Sequence, residues 1–282
     1  MARQQAYDAS AIQALKGLEP VRRMPGMYTH TIHPLHIVQE AIDNAIDEAL
    51  AGFGKKITVS VSKDGSVEIE DEGRGVPVDM HPVEKKPAVE VAFTMLHAGG
   101  KFAKSGEAVY HISGGLHGVG VAVSNALSRR CEVTVYRDGY RHSIAFEGGE
   151  LKNKLRSEKT KDKKTGTVVR IWPDPKYFDS ASIPMGELEH LIRSKAYLLP
   201  GLTTVLKFEG KPDQSWRFEK GMAQYFERML DGREMWRRFS PAPGTSTRSP
   251  PPTSPRSRRA RAPNGRSAGR EKAISSPTAT ST

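Results

Sequence analysis

The sequence predicts an α+β fold, a two-layer sandwich with helices on one face of a mixed, largely antiparallel sheet. Three observations carry this. Residues 35–50 repeat apolar positions at helical spacing, with Gly52 and Gly54 as the stop. Ile57–Val61 and Val67–Glu70 alternate like strands around the turn signal Asp64-Gly65. A second strand group, 132–137, 141–147 and 167–172, follows with Asp138-Gly139 between its first two members. Strands in runs rather than in βαβ alternation favour an antiparallel sheet with helices gathered on one side.

The remaining elements fit that frame. Residues 1–16 form a polar lead with Tyr7 and Ile12 as candidate anchors, and residues 17–28 are rich in turn formers. Residues 89–97 read as a helix ending at Gly99-Gly100, and 101–120 as a mobile glycine-rich loop leading into a helix over 121–128. Residues 152–166, rich in Lys and Thr, read as a solvated loop. A helix over 185–199 stops at Pro200-Gly201, followed by strands at 203–208 and 216–218 and a last helix to Leu230.

Charge and cysteine content narrow the class. The net charge of +11 invites a nucleic-acid reading, but residues 1–232 hold 32 Lys and Arg against 30 Asp and Glu. From Arg233 onward there are 11 against 2, so the basic excess describes a tail. That tail, 233–282, is dominated by Pro, Ser, Arg, Ala and Thr and lacks the apolar content to order itself. It reads either as a basic nucleic-acid-binding arm or, the preferred reading, as the product of a reading-frame shift in a GC-rich gene. One cysteine, Cys131, excludes an internal disulfide and has no ligand partner at metal spacing, so it reads as core. No apolar run is long enough for a membrane. The expectation is a soluble cytoplasmic protein.

The chemistry gathers on the helix 35–50. Glu40, Asn44, Asp47 and Glu48 fall on one side of it, with Ile42, Ala45, Ile46 and Ala49 on the other. An isolated helix of this kind is usually just a solvated face; its company argues otherwise. Glu40 is placed to orient and deprotonate a water attacking a terminal phosphate. Asn44, one turn on, offers a neutral oxygen suited to Mg²⁺. Asp71 ends a strand, where its carboxylate accepts from an exocyclic amino group such as that of adenine. Gly73 and Gly75 then remove side chains where a base comes close. Ser113 to Gly120 offers successive backbone N–H groups at a helix start, suited to phosphates. It is neither a Walker A loop nor a dinucleotide fingerprint, since the spacing and flanking residues differ. Lys101 and His117 are candidate phosphate contacts.

Together these residues resemble the ATP-binding domain of the GHKL superfamily, with its Bergerat fold. Glu40 and Asn44, the box Asp71-x-Gly73-x-Gly75, the box Gly114–Gly120 and Thr167 stand in that family's order. The strings Leu18–Tyr28, Leu96–Phe102 and Ser113–Gly120 look like the B subunits of type IIA topoisomerases. The stretches 137–139, 144–147 and 172–174 look closer to the B subunit of topoisomerase IV (ParE) than to that of gyrase. The likeness covers roughly residues 10–230.

The resemblance implies ATP and Mg²⁺ as cofactors, Glu40 as catalytic base, Asn44 as metal ligand and Asp71 as adenine acceptor, with Thr167 beside it through an ordered water. It implies that Lys101, Tyr110 and Gly114, Gly115, Leu116, His117, Gly118, Val119 and Gly120 close over the triphosphate. Arg74 would line the adenine mouth, where aminocoumarins also bind. Arg137 would contact drugs while paired with Glu48. Tyr7, Ile12 and Tyr28 would reach into a partner protomer of an ATP-dependent homodimer. Glu72 replaces the family's second aspartate. The implied partners of a full-length enzyme are the A subunit of topoisomerase IV (ParC-like) and DNA, and no membrane. No counterpart of the family's transducer and metal-binding domains follows Leu230. This chain alone is therefore expected to bind ATP with little or no turnover.

Overall fold

A computed structural model of the chain describes residues 14–98 and 118–230. Helix α1 (Glu19–Arg23) and a 3-10 turn over Pro25–Met27 form where the sequence suggests only turns. The prolines explain both: each has its fixed φ at the start of a turn, and Pro25 also bars α1 from continuing. Helix α2 (Leu35–Leu50) follows as expected, burying Leu35, Ile37, Val38, Ala41, Ile42, Ala45 and Ile46. Asp47 is buried too, at 1% exposure, so it does not join the polar face presented by Glu40, Asn44 and Glu48.

The strands build one eight-stranded sheet. In chain order they are β1 (Lys56–Val61), β2 (Val67–Asp71), β3 (Ser128–Arg137), β4 (Tyr140–Glu147), β5 (Glu150–Lys159), β6 (Gly166–Pro173), β7 (Thr203–Phe208) and β8 (Gln214–Arg217). Their spatial order is β5-β4-β3-β6-β2-β1-β7-β8. Every pairing is antiparallel except β1 with β7. The segment expected to be a solvated loop, 152–166, is largely strand β5, joined to β4 by a hairpin through Gly148 and Gly149. It escaped notice because its side chains are nearly all exposed, so it carries no apolar alternation.

Helices α3 (Ala88–Thr94), α4 (Gly120–Ala126), α5 (Met185–Leu198) and α6 (Met222–Leu230) are the remaining α-helices among the described residues. The core lies between α2 and its neighbours and one sheet face, which supplies Ile57, Val59, Ile69, Cys131, Val133, Val135, Phe146 and Ile171. The rings of Phe93 and Phe146 stack within it, centroids 5.8 Å apart. Buried hydrogen bonds lock α4 in place. The Ser124 hydroxyl donates to Ile37 O at 2.7 Å, and Asn125 Nδ2 donates to Phe93 O at 2.9 Å. Cys131 is fully buried, as expected, and burial pushes its thiol pKa far up. Among the described residues no helix is long and apolar enough to cross a membrane. The arm residues Tyr7 and Ile12, the loop 99–117 and the tail from 231 onward lie outside the described residues.

Candidate nucleotide site

Two glycine boxes meet α2 at separate points. At one end, Gly73 follows β2 and packs on Glu48: a Cβ there would come within 2.8 Å of Asp71 Oδ1 and of Glu48 Cβ. At the other end, Gly120 opens α4 against Glu40, where a Cβ would overlap the Glu40 carboxylate. Eight residues of helix separate Glu40 from Glu48, a rise of about 12 Å.

The β2 end is built around Asp71. Its Oδ1 accepts from the backbone N–H of Gly73 at 2.8 Å and of Thr167 at 3.2 Å. Among the described residues no hydrogen bond reaches its Oδ2. Burial raises the carboxyl pKa to about 7, with Glu48 and Glu70 adding to the rise and the two backbone bonds opposing it. Thr167 is 5% exposed, and its hydroxyl accepts from Val76 N at 3.1 Å. Gly73 and Gly75 were expected to admit a base. The walls of the site already require them: a Cβ on Gly75, at φ +77°, would press to 2.8 Å of Val135.

Arg74 and Glu48 form a tight pair. Arg74 N and Nε donate to Glu48 Oε2 at 2.9 and 3.1 Å, Nη2 donates to Oε1 at 2.9 Å, and the guanidinium lies 4.0 Å over the Phe53 ring. Arg137 was expected to pair with Glu48, and this is corrected. Arg137 pairs with Asp138 at 3.2 Å and donates to Gly75 O at 3.1 Å. Arg74 is the neighbour of Gly73, which touches Glu48, so it takes that carboxylate first.

At the other end Glu40 is half-buried and Asn44 exposed. A residue that the sequence did not single out stands beside Glu40. His36 Nε2 lies 3.8 Å from Glu40 Oε1, and its Nδ1 is 2.9 Å from the Thr29 hydroxyl. Burial and the neighbouring His30 lower its pKa, favouring a neutral ring. The Thr29 hydroxyl also donates to His30 O at 3.5 Å, and at 3.8 Å the His36 Nε2 stands beside the Glu40 carboxylate without a hydrogen bond to it. The signal was available, since a histidine four residues before a carboxylate shares its helix face. Asp43, on the same helix, pairs with Lys195 of α5 at 2.6 Å.

Tyr28 is half-buried against its own core. Gly118, Val119 and Gly120 are described; Lys101, Tyr110, Gly114, Gly115, Leu116 and His117 are not. No described cluster of three or more His, Cys, Asp or Glu could hold a metal.

Known proteins share the sequence pattern and the fold. The family model for histidine kinase-, DNA gyrase B-, and HSP90-like ATPases matches residues 29–177. The B subunit of DNA topoisomerase 4 from Salmonella typhimurium is 49% identical over 230 residues, 81% of this chain and 36% of that protein. The B subunit of DNA gyrase from Thermotoga maritima is 45% identical over 236 residues, again 81% and 36%. This chain thus spans about a third of the length of these relatives. Among solved structures, the topoisomerase IV ATP-binding domain of Francisella tularensis, in complex with a small-molecule inhibitor, superposes with a TM-score of 0.66 at 39% identity. The alignment covers 77% of this chain and 58% of that one. The 43K ATPase domain of Thermus thermophilus gyrase B, in complex with an aminocoumarin, gives 0.67 at 37%, covering 76% and 55%. With its family model spanning more than half of its length, this chain belongs to the histidine kinase-, DNA gyrase B- and HSP90-like ATPases.

Proposed function

We propose that this chain binds ATP with Mg²⁺ along α2 as the ATPase region of a type IIA topoisomerase B subunit, of the topoisomerase IV kind, with little or no turnover by the chain alone and turnover within a full-length protein. One observation carries the reading. The buried Asp71 carboxyl and the Glu40 carboxylate stand at opposite ends of a helix span matching the reach from an adenine to a terminal phosphate. Ionised Asp71 would accept from the adenine amino group through Oδ2, with Thr167 closing that wall. Glu40 would orient the attacking water and take its proton, with His36 beside it on the same helix face. Asn44 would hold Mg²⁺, which would offset the charge of the phosphates. Lys101, Tyr110 and the Gly114–Gly120 box would close over the triphosphate. Arg74 and Arg137 would line the mouth, and Tyr7, Ile12 and Tyr28 would serve a homodimer.

In a full-length protein, acting in the cytoplasm with a ParC-like partner, such turnover would drive DNA strand passage. The higher identity to the topoisomerase IV relative supports that kind over gyrase, which remains the second reading at 45%. DNA supercoiling by a reconstituted enzyme would favour gyrase. The test of the site is Glu40→Ala in a chimera that joins this region to the remainder of a topoisomerase 4 B subunit, where turnover can be read. Affinity for a non-hydrolysable ATP analogue should hold within a few-fold while kcat falls by about 10²–10⁴. Turnover unaffected by this substitution would remove Glu40 from the role.

A further inference from the structure

The β5 edge and the loop after it carry cations that the nucleotide site does not use. Residues 150–164 hold seven Lys and Arg against three Asp and Glu, a net of +4 where residues 1–232 together reach only +2. Two of the seven are engaged: Lys152 with Glu147 at 3.0 Å, and Lys164 with Glu70 at 3.1 Å, stacked over Tyr136. The other five are Lys154, Arg156, Lys159, Lys161 and Lys163. All are exposed, and none forms an ion pair with a described residue.

The solvent face of the sheet inward of this edge is different. There Arg141 pairs with Glu158, Arg130 with Glu132, Arg170 with Asp64 and Lys207 with Asp213. Such surface pairs add little stability, but they cancel one another's field. A polyanion approaching along that side meets uncompensated positive charge at β5 and its loop.

Lysines on an edge strand often serve to block pairing with another sheet. That explains Lys154 and Arg156, within the ladder. It does not explain Lys161 and Lys163, which lie past the last strand residue, Lys159, where no ladder groups remain to shield. The loop is also held rather than loose. Thr160 N donates to Gly139 O at 3.0 Å, Asp162 N to the Thr160 hydroxyl at 3.1 Å, and Lys164 anchors its far end.

We infer that this strip, Lys154 to Lys163, docks the sugar-phosphate backbone of duplex DNA. Lysines present point charges that suit phosphates without reading bases. Residues 150–164 contain no aromatic side chain, and the exposed Tyr140 opposite Lys159 is a single ring, not the run of stacking platforms that a single-stranded ligand uses. The choice of DNA as the polyanion rests on the topoisomerase reading; the basic strip itself does not.

Lysine footprinting tests this on the whole chain, so that the basic tail competes in the same tube. The chain is acetylated with and without a mixed-sequence DNA duplex, and each site is read by mass spectrometry. Lys154, Lys159, Lys161 and Lys163 should be modified several-fold more slowly with DNA, the protection fading as salt rises. Lys211 and Lys220, exposed towards the opposite edge of the sheet, should not change. The variant K154Q/R156Q/K161Q/K163Q should lower the slope of log affinity against log salt by roughly 2–4, at about 0.9 per lost phosphate contact. Its affinity for an ATP analogue should match wild type, which shows that it folds. Unprotected strip lysines in a DNA-bound chain, or an unchanged slope, would overturn the proposal, as would equal protection by polyglutamate, which would point to an acidic protein. If wild type bound no nucleotide while the strip was still protected, the ATPase reading would fail and the strip would stand.

Discussion

At the scale of residues, Asp71 joins function to a cost in stability. Its folded pKa, about 7, lies above the unfolded value of 3.8, so the folded chain holds more protons between those limits. Stability contributed by this group is therefore full at low pH and declines as pH rises through that window. Asp71→Asn keeps an oxygen for the Gly73 and Thr167 N–H groups and removes the buried charge. Denaturant titration at pH 8 should show the variant more stable by on the order of 2–4 kcal/mol, the gain shrinking towards pH 4. Glu48 runs the other way. Glu48→Ala strands the Arg74 backbone N–H and guanidinium, and should destabilise the fold by about 1.5–3 kcal/mol in the same assay. These partnerships were only partly legible. Glu40, Asn44 and Asp71 follow from residue type and spacing, whereas the burial of Asp47 and the capture of Glu48 by Arg74 depend on how β2 leaves the sheet beside α2.

At the scale of elements, β6 aligns the proposed adenine wall through Gly166, at φ +129°, where a Cβ would overlap the Asp71 carbonyl. Backbone cannot swing aside as a long side chain can. Gly166→Ala should cost about 2–5 kcal/mol in thermal or chemical unfolding and weaken nucleotide binding with it. Strands β1 and β2 were legible because one face of each is buried and a turn signal joins them. Strand β5 was not, since an edge strand exposed on both faces leaves no period to read. The helix α1 was hidden by its own prolines, which signal turns as readily as helix starts.

At the scale of the molecule, the α+β class was legible because alternation and turn chemistry agree along most of the chain. The order of strands was not. The parallel pairing of β1 with β7 joins segments more than 140 residues apart, and no local pattern encodes it. That order sets β2 and β6 side by side, so Asp71 and Thr167 meet although 96 residues separate them. The central claim is that this meeting makes an adenine site on a floor formed by α2. The most direct measurement is calorimetric titration of the whole chain with a non-hydrolysable ATP analogue and Mg²⁺, for wild type and Asp71→Asn at pH 6 and pH 8. Wild type should bind more tightly at pH 8, by up to about tenfold, as Asp71 ionises. Asp71→Asn should bind at least tenfold more weakly than wild type at pH 8, with no such pH dependence. Equal affinity of wild type and Asp71→Asn at both pH values would contradict the claim.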